Sequence, residues 1–288
     1  MICSICPRHC SADRKVNIGY CRSKENFRVA RAALHYWEEP CISGKNGSGT
    51  VFFSGCNLRC LFCQNYEISR ENKGIDISDE ELVSIFEKLI EQGANNINLV
   101  NPTHYAERLA KVLSQWKCPV PVVYNSGGYE SVETLKKLDG LVDIYLPDLK
   151  YSRNDRAMKY SSAPDYFETA CKAIKEMRRQ VKDSFDGEMM KSGLIVRHLI
   201  LPKNTNSSLE IIDWFCENLG DTYFSLMAQY IPCGDLSAAP ELNRKITQRE
   251  YDKVLDYALS KGVDKLFVQE LGSADEKYIP PFDFTGVI

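Results

Sequence analysis

Cys56, Cys60 and Cys63 fall within the stretch "FFSGCNLRCLFCQN" (52–65), directly behind a short apolar run. Thiolates at C-x3-C-x2-C spacing are metal ligands before they are anything else. A cubane [4Fe-4S] cluster has four irons and takes thiolate ligands, so three cysteines leave one iron open to a group that is not protein. A closed structural site uses four. The competing reading is zinc completed by a distant histidine or cysteine, and spacing alone leaves it standing.

A second set, Cys3, Cys6, Cys10 and Cys21, with Cys41 to spare, lies in the first 41 residues. Four thiols close either a tetrahedral zinc or a second cluster, and a plain reduced-cysteine turn is the third reading. Zinc implies a clamp for a partner; a cluster implies an electron relay. Cys118, Cys171, Cys216 and Cys233 stand singly and read as small apolar fillers. Twelve cysteines in 288 residues, several at ligand spacing, make better sense as reduced thiols than as bridges. The expectation is a cytoplasmic protein working under oxygen-poor conditions. The first ten residues lack a signal-peptide pattern and no stretch is long and apolar enough to span a membrane. A formal charge of −3 without any basic block excludes nucleic acid as a main partner. "GKNGSGT" (44–50) has the glycines of a phosphate loop, but it precedes a strand and carries its lysine second, so it is rejected as one.

The elements that must position these groups follow from periodicity. "TVFFS" (50–54) reads as a strand. Ser78 and Glu81 form a capping box that opens a helix with Leu82, Phe86, Leu89 and Ile90 on one face, ending at Gly93. Strands at 96–100, 120–124, 141–146, 193–201 and 223–231 alternate with helices at about 104–116, 130–138, 164–181 and 208–219, the long one opened by Pro164 as its first residue. A helix near 247–261 and a strand at 265–269 follow, and the tail with Pro280 and Pro281 is irregular. Six βα units are too few to close an eight-stranded barrel, so the expected fold is α/β: a partial, open (β/α)6 barrel with one accessible flank. Residues 1–49 are divided off as a small Cys-rich metal-binding module, and residues 50–288 as the barrel with a C-terminal helix and strand extension.

C-x3-C-x2-C directly after the first strand of such a barrel resembles the radical SAM superfamily, over about residues 50–231. "GCNLRCLFCQN", "NSGGYE", "VDIYLPDLKY" and "GLIVRHLILP" resemble, more closely, pyruvate formate-lyase activating enzymes and their relatives. That resemblance implies a [4Fe-4S] cluster on Cys56, Cys60 and Cys63. It implies S-adenosylmethionine (SAM) chelated at the open iron, and reductive cleavage of SAM to a 5′-deoxyadenosyl radical that abstracts hydrogen. It further implies a reduced flavodoxin- or ferredoxin-type donor, and a glycyl radical enzyme or another protein or peptide as substrate. Phe62 resembles an aromatic that shields the cluster. Asn125, Ser126 and Asp148 match positions beside SAM and a monovalent cation; Lys150 would meet substrate or the SAM carboxylate. Arg197, an interior strand residue, demands an anionic partner, which the resemblance makes the SAM carboxylate. His198 should face the other side of the strand and pack; Gln229 and Tyr230 should line the pocket. Where the activating enzymes carry a Gly-Gly-Glu-type motif this chain reads "NPTHY", so Asn101, Thr103 and His104 are the polar substitutes. The alternatives are radical modification of another peptide or small metabolite, and a non-catalytic iron–sulfur or zinc interaction protein.

Overall fold

In the computed structural model, which describes residues 2–269, 271–273 and 279–288, short buried runs and amphipathic segments alternate as the periodicity requires. In chain order they are β1 (Phe27–His35), α1 (Pro40–Ser43), β2 (Ser48–Phe53), α2 (Tyr66–Ser69), β3 (Ile75–Ile77), α3 (Asp79–Glu91), β4 (Ile97–Val100), α4 (Ala106–Gln115), β5 (Val122–Ser126), α5 (Val132–Leu135) and β6 (Ile144–Pro147). The second half adds α6 (Asn154–Ser161), α7 (Tyr166–Gln180), β7 (Ser184–Asp186), β8 (Met189–Leu199), α8 (Thr205–Leu219), β9 (Tyr223–Met227), α9 (Gln248–Ser260) and β10 (Leu266–Val268). One sheet runs β10-β9-β8-β6-β5-β4-β2-β1-β3, with β7 on β8. From β2 through β10 that path is parallel, and β1 and β3 are antiparallel additions at one edge. The open parallel barrel expected from the sequence is therefore present.

Local chemistry explains the better-defined helices. Ser78 Oγ accepts from Glu81 N–H at 3.1 Å and Glu81 returns the bond to Ser78 N–H at 2.7 Å, while Leu82, Ile85, Phe86 and Leu89 bury one face of α3. Thr247 and Glu250 repeat the box on α9. On β8, period-two alternation sends His198 outward: its ring bonds Leu149 C=O at 2.7 Å and the Ser208 hydroxyl of α8 at 2.8 Å. The Leu149 carbonyl can only accept, so Nδ1 carries the proton, and burial lowers the ring's pKa to about 4.

Three features differ from the sequence expectation. β1 lies inside residues 1–49, where no strand was read. Its register shifts between Val29 and Arg31, so Val29 and Ala30 are both buried and the alternation that marks a strand is lost. The division at 49/50 thus falls inside β2, which is hydrogen-bonded to β1. Pro164 does not open a helix: α6 ends at Ser161, followed by Ser162 in the left-handed region, and α7 begins at Tyr166 behind Asp165. The tail also adds to the flank. Ala32 N–H bonds Thr285 C=O at 2.9 Å, Phe284 N–H bonds Ala30 C=O at 3.0 Å, and Phe282 sits edge-on against Phe52 at 5.5 Å.

Inside the barrel, Cys41, Ile42, Val123, Ile144, Leu146, Met190 and Ile195 fill the amino end with an apolar plug. The carboxyl end is left for polar groups, as parallel α/β sheets require of their functional rims.

Candidate functional site

The three-cysteine loop leaves β2 at the carboxyl end of the strands. Gly55 starts it with φ +88°, and a Cβ there would lie 2.1 Å from Ser23 Oγ and 2.6 Å from Cys21 C=O. Only glycine fits, because the N-terminal segment presses on the loop from outside. Cys56 N–H donates to Cys21 C=O at 3.1 Å, Arg8 Nε to Asn57 C=O at 2.7 Å and Arg59 to Tyr20 C=O at 3.1 Å. The second cysteine set is thereby tied to the first through backbone.

Each thiol of the triplet is hydrogen-bonded: Leu58 N–H reaches Cys56 Sγ at 3.4 Å, the Ser161 hydroxyl reaches Cys60 Sγ at 3.0 Å and the Ser69 hydroxyl reaches Cys63 Sγ at 3.2 Å. All three are free of disulfides. Burial pushes the Cys56 and Cys63 thiols up, and the crowding of neighbouring thiolates adds to it; Lys150 pulls the other way. Soft, mutually repelling, hydrogen-bonded sulfurs fit an iron–sulfur cluster whose metal charge would relieve that repulsion.

Cys60, Cys63 and Phe62 line a cavity of about 250 Å³ together with Asn125, Asp148, Lys150 and Arg197. Three successive strand exits supply the polar set, as the parallel register dictates. Arg197 donates to Asn125 Oδ1 at 2.6 Å, to Asp148 at 2.9 Å and to Glu38 Oε2 at 3.3 Å, while Lys150 pairs with the other Asp148 oxygen. Burial alone would raise the Asp148 carboxyl, but Lys150 and Arg197 outweigh it and hold it below its usual range. Burial alone would likewise lower Lys150, and Asp148 reverses that too.

Several expectations need correcting. The anionic partners of Arg197 within the chain are Asp148 and Glu38. Asp148 gives one oxygen to Arg197 and the other to Lys150. Ser126 follows Asn125 on the same strand, so only one of the two can face the cavity; its hydroxyl instead accepts from Gly128 N–H at 3.3 Å. Asn101, in the left-handed region at φ +59°, donates its side-chain amide to Gly55 C=O and buttresses the cysteine loop. Thr103 spends its hydroxyl on Glu130 at 2.5 Å, and His104 bonds Ser54 C=O at 2.8 Å. None of these three lines the cavity. Gln229 does, whereas Tyr230 is buried, bonding Leu242 C=O at 2.8 Å and packing on Phe62 at 5.7 Å.

Sequence reasoning missed Glu38 and Glu39 of "HYWEEP". Acidic residues default to the surface, yet the Glu38 side chain is 12% exposed and Glu39 is 8% exposed. The adjacency of two acids to an aromatic pair was the only signal. Burial raises both carboxyls, with Arg197 opposing.

Glu130, 2% exposed behind the "NSGGY" turn, has its carboxyl raised by burial to about 7 despite hydrogen bonds from Thr103, Ser126 and Tyr124. The native state therefore binds this proton more tightly than the unfolded chain. Its contribution to stability is full below about pH 4.5 and is lost as pH rises through about 7, a span of about 3 kcal/mol. Glu130→Gln should flatten that slope in urea titrations between pH 5 and pH 8.

In the N-terminal segment a Cβ at Gly19 would lie 3.4 Å from both Cys10 and Cys21 sulfurs, and burial pushes the Cys6 thiol up to about 12. Among the described residues no three His, Cys, Asp or Glu side chains stand where they could hold a single metal ion.

The family model of the Radical SAM superfamily matches residues 50–215, more than half of the chain. The chain belongs to the radical SAM superfamily. Membership implies a [4Fe-4S] cluster and SAM. An uncharacterized protein of Methanocaldococcus jannaschii, MJ0674, is 32% identical over 275 residues, covering 92% of this chain and 76% of that one. Among solved structures, Streptococcus suis SuiB bound to S-adenosylmethionine aligns at TM-score 0.53 and 14% identity over 76% of this chain and 49% of that one. The [FeFe]-hydrogenase maturase HydG aligns at 0.51 and 14% identity, over 74% and 48%. This radical SAM chain spans about half the length of those two solved chains, and at such identity the likeness is one of fold. No helix among its described residues is long and apolar enough to cross a membrane.

Proposed function

We propose that the chain is a glycyl-radical-enzyme activase, using SAM to abstract hydrogen from a glycine of a partner protein. The observation that carries the site is the convergence of Cys60, Cys63, Asn125, Asp148, Lys150 and Arg197 on one cavity. When bound, a [4Fe-4S] cluster supplies the electron that cleaves the carbon–sulfur bond of SAM. Cys56, Cys60 and Cys63 hold it, and the Ser161 and Ser69 hydroxyls moderate the charge on two of the sulfurs. Phe62, wedged between ligands and backed by Tyr230, keeps water from the thiols. Lys150, fixed by Asp148, presents a full positive charge to a carboxylate, while Asn125, oriented by Arg197, donates its amide to Glu38 at 3.2 Å and has its second N–H for the same ligand.

The Cys3, Cys6, Cys10 and Cys21 set, tied through Cys21 C=O to Cys56 N–H, is proposed to hold a second metal that clamps or feeds the loop, which requires its thiols to draw closer together than they stand here. A reduced flavodoxin- or ferredoxin-type protein is the donor this reading calls for.

A second reading is favoured by a larger cavity of about 820 Å³, which shares Trp37, Glu38 and Gln229 with the smaller one. Such a volume suits a peptide side chain or small metabolite, and SuiB has been solved with its precursor peptide. The test is anaerobic incubation with dithionite and SAM, in which 5′-deoxyadenosine should be released. Co-expression with a glycyl radical enzyme then separates the readings: a glycine-centred EPR doublet supports activation, and its absence with SAM cleavage intact supports the second.

A further inference from the structure

We propose that the barrel lumen beneath the thiols binds a substrate carrying a protonated nitrogen, an ammonium or guanidinium, held by Glu38 and Glu39. The inference rests on the radical SAM reading, since the rest of such a ligand must reach the thiol end.

Charge is the first argument. Three buried carboxylates, Glu38, Glu39 and Asp148, face two cations, Lys150 and Arg197, and Asp148 takes a bond from each cation. The glutamate pair is left with a share of Arg197, at 3.3 Å from Glu38. With all three ionised the belt lacks one positive charge, and because burial raises both glutamates that deficit is met either by a proton or by a cationic ligand.

Unpartnered atoms are the second, independent argument. Glu39 Oε2, Asn98 Oδ1 and Gln269 Oε1 are buried without a hydrogen-bond partner. All are acceptors, so the missing group is a donor. They belong to one neighbourhood: Asn98, fully buried, donates to Glu38 at 3.0 Å; Ser225 on β9 lies within bonding reach of Glu39; Gln269 N–H bonds the adjacent Leu226 C=O at 3.2 Å. A buried acceptor left unpaired is costly, and a multi-donor cation satisfies several at once. Glu38 and Gln269 line the larger cavity, Glu39 is buried between the lining residues Glu38 and Pro40, and Tyr36 and Trp37 in the same lining offer aromatic faces to a cation. Lys45 and Glu188 on its rim offset each other in charge.

The test uses the full-length, anaerobically reconstituted protein. Its melting temperature is followed against Nα-acetyl-lysine methylamide, the Nζ-acetylated derivative, the norleucine analogue and potassium chloride. The lysine derivative should stabilise the wild type in a saturable way, and the two neutral analogues should not. Glu39→Gln should weaken its binding about 30-fold or more, and Glu39→Asp by less. Discrimination between charged and acetylated ligand by the wild type alone decides the matter if the variants do not fold. Equal stabilisation by potassium, or by the acetylated analogue, overturns the proposal, as does no response to any. The shift is read without SAM, so a protein that cleaves SAM yet ignores the cation refutes this inference and leaves the radical SAM reading intact.

Discussion

Replacing Cys56, Cys60 and Cys63 together by alanine should remove about four irons from the anaerobically reconstituted chain and reduce 5′-deoxyadenosine release to background. The expectation is all-or-none because the three thiols act as one ligand set; losing one sulfur leaves a cube with two protein bonds and two open irons. Alanine keeps the loop backbone, and the Gly55 turn and the Cys56 N–H bond to Cys21 C=O survive. The loop should therefore remain folded and the iron count should report the ligands. Replacing Cys3, Cys6, Cys10 and Cys21 should leave these four irons in place, and any further metal that disappears belongs to the N-terminal set. Iron retained by the triple variant at the wild-type level would contradict the assignment outright.

Arg197→Met should produce the largest loss of stability of any single polar replacement in the barrel. The methionine approximates the aliphatic stem, so the change isolates the charge. Asp148 keeps Lys150, but Glu38 and Glu39 lose their main counter-charge while staying buried. Breaking a buried pair in this way costs about 3–5 kcal/mol. The effect carries a sign in pH. Both glutamates bind protons more tightly folded than unfolded, so their contribution is full below the ordinary carboxylate range and is lost as pH rises. Without Arg197 that loss steepens, and the deficit against wild type in urea titrations should be larger at pH 8 than at pH 5. Equal deficits at the two pH values would mean that the arginine matters for packing alone.

How much of this was legible in the sequence depends on how local each signal is. The α3 capping box, the parallel strands and the cysteine spacing are written in neighbouring residues, and the structure contains all of them. Asn125, Asp148, Lys150 and Arg197 were found because each stands at or next to the carboxyl end of a strand, a place the alternation predicts. Ser126 was misjudged although the same alternation, applied one residue further, turns it away. Thr103 and His104 are polar and next to a strand exit, but a buried carboxyl and a loop carbonyl take up their bonding capacity, and no local pattern announces such long-range partners. Glu38 and Glu39 were invisible for the opposite reason. Their burial comes with that of Cys41, Ile42 and Ser43 in the segment that follows β1, which requires β1 to be recognised first, and the bulge at Val29 to Arg31 hides β1.

The pairing of Thr285 and Phe284 with Ala32 and Ala30, next to β3 on Phe27 to Val29, bears on how another polypeptide docks. Along β1 from Phe27 to Ala32 the outer edge is taken up by β3 and the tail, so this stretch offers no template for strand addition. An incoming segment at this side must be recognised through side-chain pockets.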